Sequence, residues 1–398
     1  MSFIRKLFTE YLLLNLFIFG CISLLSLTVI NTSFFDPFTA AFEDFSLTDL
    51  YYTKVKDRNS IYNGPIVLIN AEDKDRSEIA LLLQQIQTGK PKVTALDILF
   101  AQRKNETDSL LKAELDLHNN YVFGYISDFE NEQKTVYTDS FFTHERNGYV
   151  NMVGENTEYS TIRHYFPFYN NQESFTSAII KKFDSTIYQR LLNRGKRKTE
   201  IHYTGNLSNF TYYDFDEVVN PGFNTTVLQN KIILVGYLGM PGTRSISKTD
   251  EDKQFTPLNE KLSGRSYPDM YGCVIHANIL HMIIEDDFVF SVPGWAMAVI
   301  SFIIIWLLLP VFCGLFFKGD LWFNTIGTII QLVGSVFIVT LSILFYRYLD
   351  TRFDPGLLTA CLVLLPTFIN LYEAFLKFLC FKLKIRFHSA FLGKEDND

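Results

Sequence analysis

Hydrophobic residues are concentrated near the two ends of the chain, in segments long enough to cross a lipid bilayer. A run of about 18 or more apolar residues spans a hydrocarbon core about 30 Å thick. The segments that meet this condition are Tyr11 to Ile30, Val292 to Phe317, Leu321 to Tyr346 and Gly356 to Leu379. The pattern therefore predicts one membrane helix before a polar middle region and three membrane helices after it.

The first apolar segment has the basic start of a signal peptide, in Arg5 and Lys6. Its apolar run is too long for a typical signal-peptide core, and no small-x-small cleavage site follows it. We therefore expect the segment to be retained as an anchor.

The distribution of Lys and Arg predicts the orientation of the membrane helices, because basic residues favour the cytoplasmic side. Arg5 and Lys6 precede the first segment, and the basic residues near and after the end of the last one are Lys377, Lys382, Lys384 and Arg386. Arg347 and Arg352 lie in the predicted outer loop and weaken this bias without reversing it. We expect an anchor (residues 1–30), an extracytoplasmic domain (31–291), a three-helix membrane bundle (292–380) and a cytoplasmic tail (381–398).

The polar middle region alternates apolar runs of strand length with helical patterns. PIVLIN (65–70) predicts a buried strand, SEIALLLQQIQ (77–87) a helix, and VTALDILF (93–100) a second strand. Strand, helix and strand within roughly 35 residues form a βαβ unit with parallel strands. DSLLKAELDL (108–117) predicts the next helix and YVFGYI (121–126) a third strand.

The second half of this region gives three further predictions. The segment 148–169 alternates aromatic and polar residues, which predicts a hairpin against the core. SFTSAIIKKF (174–183) begins with a Ser suited to cap a helix. IHYTG (201–205) and KIILVG (231–236) predict strands, the second being the last strand of the core. The expected fold is an α/β domain with a mainly parallel sheet flanked by helices.

The order and spacing of these segments resemble the extracellular sensory domain CHASE2. The segments that carry the resemblance are PIVLIN with the acids that follow it, ALDILF, the DSLL helix, GYVN with Arg163 downstream, SFTSAI, IHYTG, NKIILVG with a later Thr-Pro pair, and YGCVIHANIL. The family also places one membrane helix before the domain and three after it. The likeness covers Asp44 to Phe290, and with the helices nearly the whole chain.

The resemblance implies a bacterial inner-membrane receptor whose periplasmic domain senses a stimulus. Members of the family usually carry a kinase or nucleotide cyclase after the last helix, whereas about 20 residues follow Leu379, too few for such a domain. We therefore expect output through a protein partner in trans, with a homo-oligomer as a further arrangement. The alternative is a non-sensory scaffold or accessory subunit of an envelope membrane complex. KDRSE (74–78) replaces the family's common Trp-Pro-Arg segment, so the resemblance assigns no ligand contact there.

Acidic residues follow the first two predicted strands. Ligands of parallel α/β sheets bind outside the carboxyl ends of the strands. Glu72 and Asp73 follow the first strand and Asp97 lies near the end of the second, so the three could converge on one pocket. The alternative is that Asp97 caps a loop while Glu72 and Asp73 begin a helix, where negative charge suits the helix dipole. A hydrolase would need at least two of these carboxylates in one cleft.

Three further residues are candidate ligand contacts, each with a structural alternative. Asp250 begins an acidic run that could offer oxygens to a cation, but the alternating spacing of a calcium loop is absent, which favours a solvated loop. His276 and Asn278 lie in the segment that approaches the second membrane helix. For His276 the favoured alternative is a structural histidine whose hydrogen bonds are satisfied.

Several classes of function are not supported by the sequence. The chain has no G-x-S-x-G, H-E-x-x-H or zinc-type cysteine pattern, so we predict no enzymatic activity, no metal and no cofactor. A net charge of −7 without a basic face argues against nucleic acid. Cys273 is the one cysteine of the middle region, which excludes a disulfide within it.

The third membrane segment carries a stripe of polar and small residues. Asn324, Thr328, Gln331 and Ser335 recur at helical spacing, and Gly327 and Gly334 lie beside them. Such a stripe suits close packing and hydrogen bonds between membrane helices. Its partner is either a helix of this chain or another protein.

Two polar residues of the fourth membrane segment are candidate coupling or partner contacts. Asn370 and Glu373 lie near its inner end. Glu373 could instead extend its carboxylate to the membrane interface.

Overall fold

The computed structural model describes residues 2–30, 46–54, 56, 60–104, 106–152, 161–241, 253–259, 267–383 and 389–392. The chain divides into two compact units. The first, Asp44–Val289, is called the α/β unit below. The second combines Met1–Glu43 with Phe290–Asp398 and is called the helical unit.

The elements are numbered in chain order. The helices are α1 (Ser2–Ile30), α2 (Leu47–Lys54), α3 (Arg76–Thr88), α4 (Asp108–Leu117), α5 (Phe175–Phe183), α6 (Ser185–Arg194), α7 (Phe215–Val219), α8 (Gly272–Glu285), α9 (Gly294–Lys318), α10 (Asp320–Leu349) and α11 (Gly356–Leu383). The strands are β1 (Tyr62–Asn70), β2 (Val93–Leu96), β3 (Tyr121–Tyr125), β4 (Gly148–Tyr149), β5 (His164–Tyr165), β6 (Phe168–Tyr169), β7 (Gln172–Glu173), β8 (Thr199–Glu200), β9 (Phe210–Tyr213), β10 (Ile232–Gly236), β11 (Lys253–Gln254), β12 (Met270–Tyr271), β13 (Phe290–Ser291) and β14 (Thr351–Arg352).

The α/β unit is built on a six-stranded sheet in the order β4-β3-β2-β10-β1-β9. Every pair of neighbouring strands in it is parallel. Strand β10 is the last of these six strands along the chain, but it is inserted between β1 and β2, pairing Ile232 with Ile66 on one side and with Val93 on the other. The prediction of a mainly parallel sheet flanked by helices is confirmed.

Both faces of this sheet are covered, which explains its continuous apolar strands. Val67, Ile69 and Val235 point to the face packed by α3, α4 and α7, where Leu83 and Leu111 are fully buried. On the other face α5 packs on β2 and β3, and α8 packs on β1 and β10. The capping box of Asp75 and Glu78 begins α3, and the Ser174 hydroxyl accepts the Ser177 N–H at the start of α5, as predicted for SFTSAIIKKF.

The hairpin predicted for residues 148–169 is wrong. Strand β4 instead joins β3 as a parallel edge strand, with Gly148 paired to Gly124. A side chain at Gly148 would place its Cβ 2.6 Å from the backbone of Phe175, so this close approach requires glycine. Strand β5 pairs antiparallel with the distant β8.

The strand predicted for IHYTG is also wrong. Residues 201–205 form no strand, and β9 occupies the edge beside β1 instead. The backbone N–H groups of Thr204 and Gly205 donate to the side-chain oxygen of Asn278, at 2.7 and 3.1 Å. The segment therefore satisfies its backbone through a helix side chain and not through a sheet.

Two ion pairs, each largely buried, fix the periphery of the α/β unit. Arg76 at the start of α3 binds Asp108 at the start of α4, and the Asp108 carboxylate is fully buried. Arg163 binds Asp49 of α2 through two hydrogen bonds, Nε to Oδ1 at 3.0 Å and Nη2 to Oδ2 at 2.6 Å. Such a two-bond arginine–carboxylate contact fixes orientation as well as charge.

The helical unit contains α1, α9, α10 and α11, which are long and apolar enough to cross a membrane. Their shared core includes Leu14 of α1, Leu309 of α9, Phe323 of α10 and Leu365 of α11. Strands β13 and β14 form a short parallel pair in this unit. One such helix before the α/β unit and three after it are as predicted.

Replacing Arg163 should release α2 from the α/β unit. In Arg163→Leu the carboxylate of Asp49, only 8% exposed, loses its counter-ion. Breaking a buried pair in this way costs about 3 to 5 kcal/mol. We expect faster amide hydrogen exchange across Leu47–Lys54, measured by mass spectrometry on the purified full chain. The control Arg190→Leu changes an exposed residue of α6 and should leave α2 protected; equal exchange in both variants would contradict the prediction.

Candidate functional site

A cleft of about 1010 Å³ opens at the carboxyl edge of the parallel sheet. Residues that follow four of its strands line it: Glu72 after β1, Asp97 after β2, Ile126 after β3 and Tyr237 after β10. The first residues of α3 and α8 complete the wall. This edge is where parallel α/β sheets bind ligands, and the volume suits a small molecule.

The strand register brings two of the three predicted carboxylates, Glu72 and Asp97, to this edge. Asn70 at the end of β1 pairs with Gly236 of β10, and the neighbouring Val235 pairs with Leu96 of β2. The two acids therefore leave the sheet two strands apart, a separation of about 10 Å. The two-carboxylate condition set for a hydrolase is met by position, and the same position suits ligand binding.

Gly236 allows β10 to end tightly against its neighbours. A Cβ there would lie 3.0 Å from the Cys273 sulfur and 3.3 Å from the Asp97 Cβ. A larger residue would push the start of α8 away from the end of β2. The glycine thus keeps Asp97 and α8 in one wall of the cleft.

Glu72 presents a carboxylate oxygen without a protein partner. Its side chain is only 5% exposed, and its Oε2 lies 3.4 Å from the Lys74 ammonium. The buried Oε1 has no hydrogen-bond partner among the described residues. The residue adopts a positive φ of 52°, and its N–H donates to the side chain of Asn70. A buried acceptor of this kind is costly unless a donor reaches it.

Asn70 orients the loops around the cleft and was not predicted from the sequence. Its Oδ1 accepts the N–H of Leu238 at 2.9 Å, and its Nδ2 donates to the Gly239 carbonyl at 2.8 Å and to Asp214 at 2.9 Å. The signal for it was present in PIVLIN, where a polar residue ends an apolar strand.

His276 lies in the first turns of α8, and it lines the cleft together with Gly272 and Cys273. The residue is 4% exposed, and its ring packs edge-on against Phe175 at 5.3 Å. Burial lowers the pKa of His276 to about 4, so the imidazole is neutral at pH 7. Its Nδ1 has no partner within the described part of the chain, so a structural histidine with all its hydrogen bonds satisfied does not describe it.

The remaining candidates of the α/β unit lie elsewhere. Asp73 is not among the residues that line the cleft. Asn278 is fully buried and bonds the backbone of Thr204, Gly205 and Val274. Asp250 lies outside the described residues.

The polar stripe of α10 divides between two surfaces. Gly327 is buried, and a Cβ at Gly334 would lie 2.7 Å from the Leu362 side chain, so Gly334 packs closely on α11. Asn324 and Thr328 are exposed, and the Thr328 hydroxyl donates to the Asn324 carbonyl of its own helix. Ser335 is partly buried.

Gln331 bonds the backbone of α11 beside a proline. Its Nε2 donates to the Val363 carbonyl at 2.6 Å and approaches the Leu362 carbonyl at 3.4 Å. Pro366 has no N–H, so the carbonyl of Leu362, four residues earlier, lacks its helical donor. A neighbouring helix thus supplies the donor, as is usual at prolines in membrane helices.

Three other polar residues of the helical unit are Asn370, Glu373 and Asn15. Asn370 is exposed on α11, and Glu373 binds Lys377 one turn later at 2.9 Å. Asn15 of α1 was not predicted: it is fully buried and donates to the Phe302 carbonyl of α9 at 2.9 Å. An Asn within an apolar helix was the signal for this contact.

The chain thus combines an α/β unit that carries a ligand-sized cleft with four helices long and apolar enough to cross a membrane. The family model for the CHASE2 domain matches residues 20–315, more than half of the chain. The chain therefore belongs to the CHASE2 family, whose members are extracellular sensory domains, and this supports a sensor role. No curated protein and no solved structure matches the chain.

The buried neutral His276 should make the α/β unit sensitive to acid. Its folded pKa of about 4 lies below the unfolded value of 6.5, so on acidification the unfolded chain takes up a proton first. The free energy of unfolding therefore has its full value above pH 6.5, and it falls by about 3 kcal/mol as the pH approaches 4.

We expect this loss in wild type and its absence in His276→Phe. The measurement is urea unfolding of the full chain followed by tyrosine near-ultraviolet circular dichroism, because the three Trp residues all lie in the helical unit. His144→Gln changes an exposed histidine and should keep the wild-type profile. Parallel curves for wild type and His276→Phe would show that His276 does not cause the acid sensitivity.

Gln331→Leu should destabilise the helical unit. It removes the donor to the Val363 and Leu362 carbonyls, and such interhelical hydrogen bonds contribute about 0.6 to 1.7 kcal/mol. Unfolding in mixed detergent micelles, followed by tryptophan fluorescence, measures the loss. The control Thr340→Val removes an exposed hydroxyl bonded within its own helix, so it should cost less. A similar loss in both variants would contradict the role given to Gln331.

Proposed function

We propose that this chain is a bacterial inner-membrane sensor subunit whose α/β unit lies in the periplasm and binds a stimulus in the cleft. Both termini would be cytoplasmic, and the signal would pass to a protein partner in trans. The observation that carries the proposal is the position of α8. Its first turns line the cleft, and it is the last helix before the chain enters the membrane-length helix α9.

Helix α8 is tied to the rest of the unit beyond the cleft. Asn278 binds the backbone of Thr204 and Gly205, and the Met282 sulfur accepts the N–H of His202 at 3.3 Å. A ligand that displaces the first turn of α8 would therefore also displace residues 201–205, because these hydrogen bonds join them to α8. Such a rigid helix can carry a small displacement along its length.

A second connection runs from the cleft to α2, the first helix after α1 in the described part of the chain. Ile162 lines the cleft, and its carbonyl accepts the Tyr203 hydroxyl at 2.7 Å. The next residue, Arg163, holds Asp49 of α2. The cleft is thus linked both to α2 and to α8, the helix that precedes α9.

Coupling of this kind requires two states that bind the stimulus with different affinity. A tenfold difference shifts the equilibrium between the states by about 1.4 kcal/mol. Two connections from one cleft allow a ligand to change the strain on α2 and α8 together.

The partner would contact α11. Asn370 is exposed there among apolar residues such as Leu371 and Phe378, which are 47% and 52% exposed. A polar side chain facing lipid is costly and is usually matched by a polar group of another helix. A homo-oligomer would supply that helix from a second copy, and a signalling partner from another protein.

We propose binding and not catalysis for the cleft. Glu72 and Asp97 share it, as a hydrolase would require, but Glu72 is ion-paired with Lys74 and the sequence offers no hydrolase motif. No nucleic acid, metal or cofactor is part of the proposal. The alternative of a non-sensory scaffold predicts a filled core beside Asp97, and the cleft at that position favours the sensor.

A photo-crosslinking amino acid at Asn370 tests the proposed partner. We expect a crosslink to a second protein in native membranes, identified by mass spectrometry, and a changed yield when Asp97→Ala alters the cleft. The matched position Phe368 on the same helix is 4% exposed and should give no intermolecular product. Crosslinks only within the chain, or only to further copies of it, would contradict transduction to a partner in trans.

A further inference from the structure

We infer that the cleft binds an apolar amino acid, with its ammonium group at Glu72 and Asp97 and its carboxylate at the start of α8. This inference rests on the ligand-binding role proposed above and names the class of ligand. It follows from a buried carboxylate oxygen of Glu72 and a buried ring nitrogen of His276, neither of which has a hydrogen-bond partner among the described residues, and from the apolar side chains that line the same cleft.

The acidic end of the cleft suits an ammonium group. The buried Oε1 of Glu72 accepts no hydrogen bond from the described residues. Lys74 does not neutralise it fully, because its ammonium lies 3.4 Å from the other oxygen, 3.9 Å from Asp216 and 4.5 Å from the centre of the Phe215 ring. An ammonium group carries three N–H donors and could reach Glu72 together with Asp97.

The start of α8 suits a carboxylate. The first N–H groups of a helix have no acceptor within the helix and carry a partial positive charge. Tyr271, at the N-cap position, provides no side-chain cap, and a Cβ at Gly272 would meet no atom within 4 Å, so space is open in front of the helix.

His276 adds a second donor at this end. It lies one turn after Gly272 and lines the same cleft, and its buried Nδ1 has no partner in the described part of the chain. As a neutral imidazole with its proton on Nδ1, it would donate a hydrogen bond to a carboxylate without adding charge.

A ligand with a single charge fits less well. An anion alone would face Glu72 and Asp97. Arg76 offers it little, because its guanidinium already binds Asp108 and the Gln102 carbonyl. The two lysines of the lining are Lys74, which pairs with Glu72, and the exposed Lys104. A cation alone would face the positive end of α8. A zwitterion has no net charge and offers an ammonium group to Glu72 and Asp97 and a carboxylate to the start of α8.

Part of the cleft lining is apolar. Its apolar side chains include Ile79, Ile98, Phe100, Ile126, Val150 and Ile162. They would pack against an aliphatic or aromatic side chain and gain about 25 cal/mol per Å² of apolar surface removed from water. The ligand class is therefore the apolar amino acids.

The test uses the full chain in detergent and a panel of apolar L-amino acids, with binding measured by calorimetry and by thermal shift. We expect at least one of them to bind. For leucine as the probe, the matched analogues are isoamylamine, which lacks the carboxylate, and 4-methylpentanoate, which lacks the amine. Each should bind at least tenfold more weakly than leucine. Absence of binding across the panel, or equal binding of the analogues, would overturn the inference.

Two variants separate binding from folding. Gly272→Asp places a carboxylate at the start of α8, where it favours the helix but competes with the ligand. We expect unchanged or increased thermal stability and at least tenfold weaker binding, and Gly272→Ala should bind within threefold of wild type. Glu72→Gln should also weaken binding at least tenfold, and the exposed Glu130→Gln should not. Wild-type affinity in Gly272→Asp would contradict the carboxylate position.

The ligand class and the sensor proposal can fail separately. If no amino acid binds but Glu72→Gln changes the crosslinking yield at position 370, the ligand class is wrong and the sensor proposal is kept. If an amino acid binds without changing that yield, the ligand class is supported and coupling to a partner is contradicted.

Discussion

The central position of β10 is the constraint on which the α/β unit depends. This last strand of the sheet pairs with β1 and β2 at once, so its hydrogen bonds join the beginning and the end of the unit. The same insertion brings the ends of three strands to one edge, where the first residues of α8 also line the cleft. The position of the cleft is therefore a consequence of one strand pairing.

The second constraint on the α/β unit is that its buried backbone groups need hydrogen-bond partners. Residues 201–205 cross the unit without joining the sheet, and their polar groups still need partners. Asn278, Tyr52 and Met282 supply several of these partners. Because Asn278 and Met282 belong to α8 and Tyr52 to α2, the segment connects both helices. Under the proposed function, a change in the cleft would act through hydrogen bonds that the fold requires in any case.

The core strands could be predicted from the sequence because their continuous apolar runs require cover on both faces. PIVLIN and KIILVG became β1 and β10 for this reason. IHYTG has the same local pattern, but the acceptor that holds it lies more than seventy residues away in Asn278, and local periodicity cannot show that. Glu72 and Asp97 were placed at one edge by the general rule for parallel sheets, whereas the contribution of Gly272 depends on open space that only the packing of α8 defines.

The same rule, that a polar group removed from water must find a partner, organises the helical unit. Gln331 meets it by donating to the carbonyls beside Pro366, and Asn15 by donating to Phe302. Both residues join helices of this chain, so the membrane helices hold together through specific contacts as well as apolar packing. Asn370 carries the same polar group on an exposed surface. Since lipid offers it no partner, the argument that explains the inner contacts also supports the proposed contact between this face of α11 and another helix.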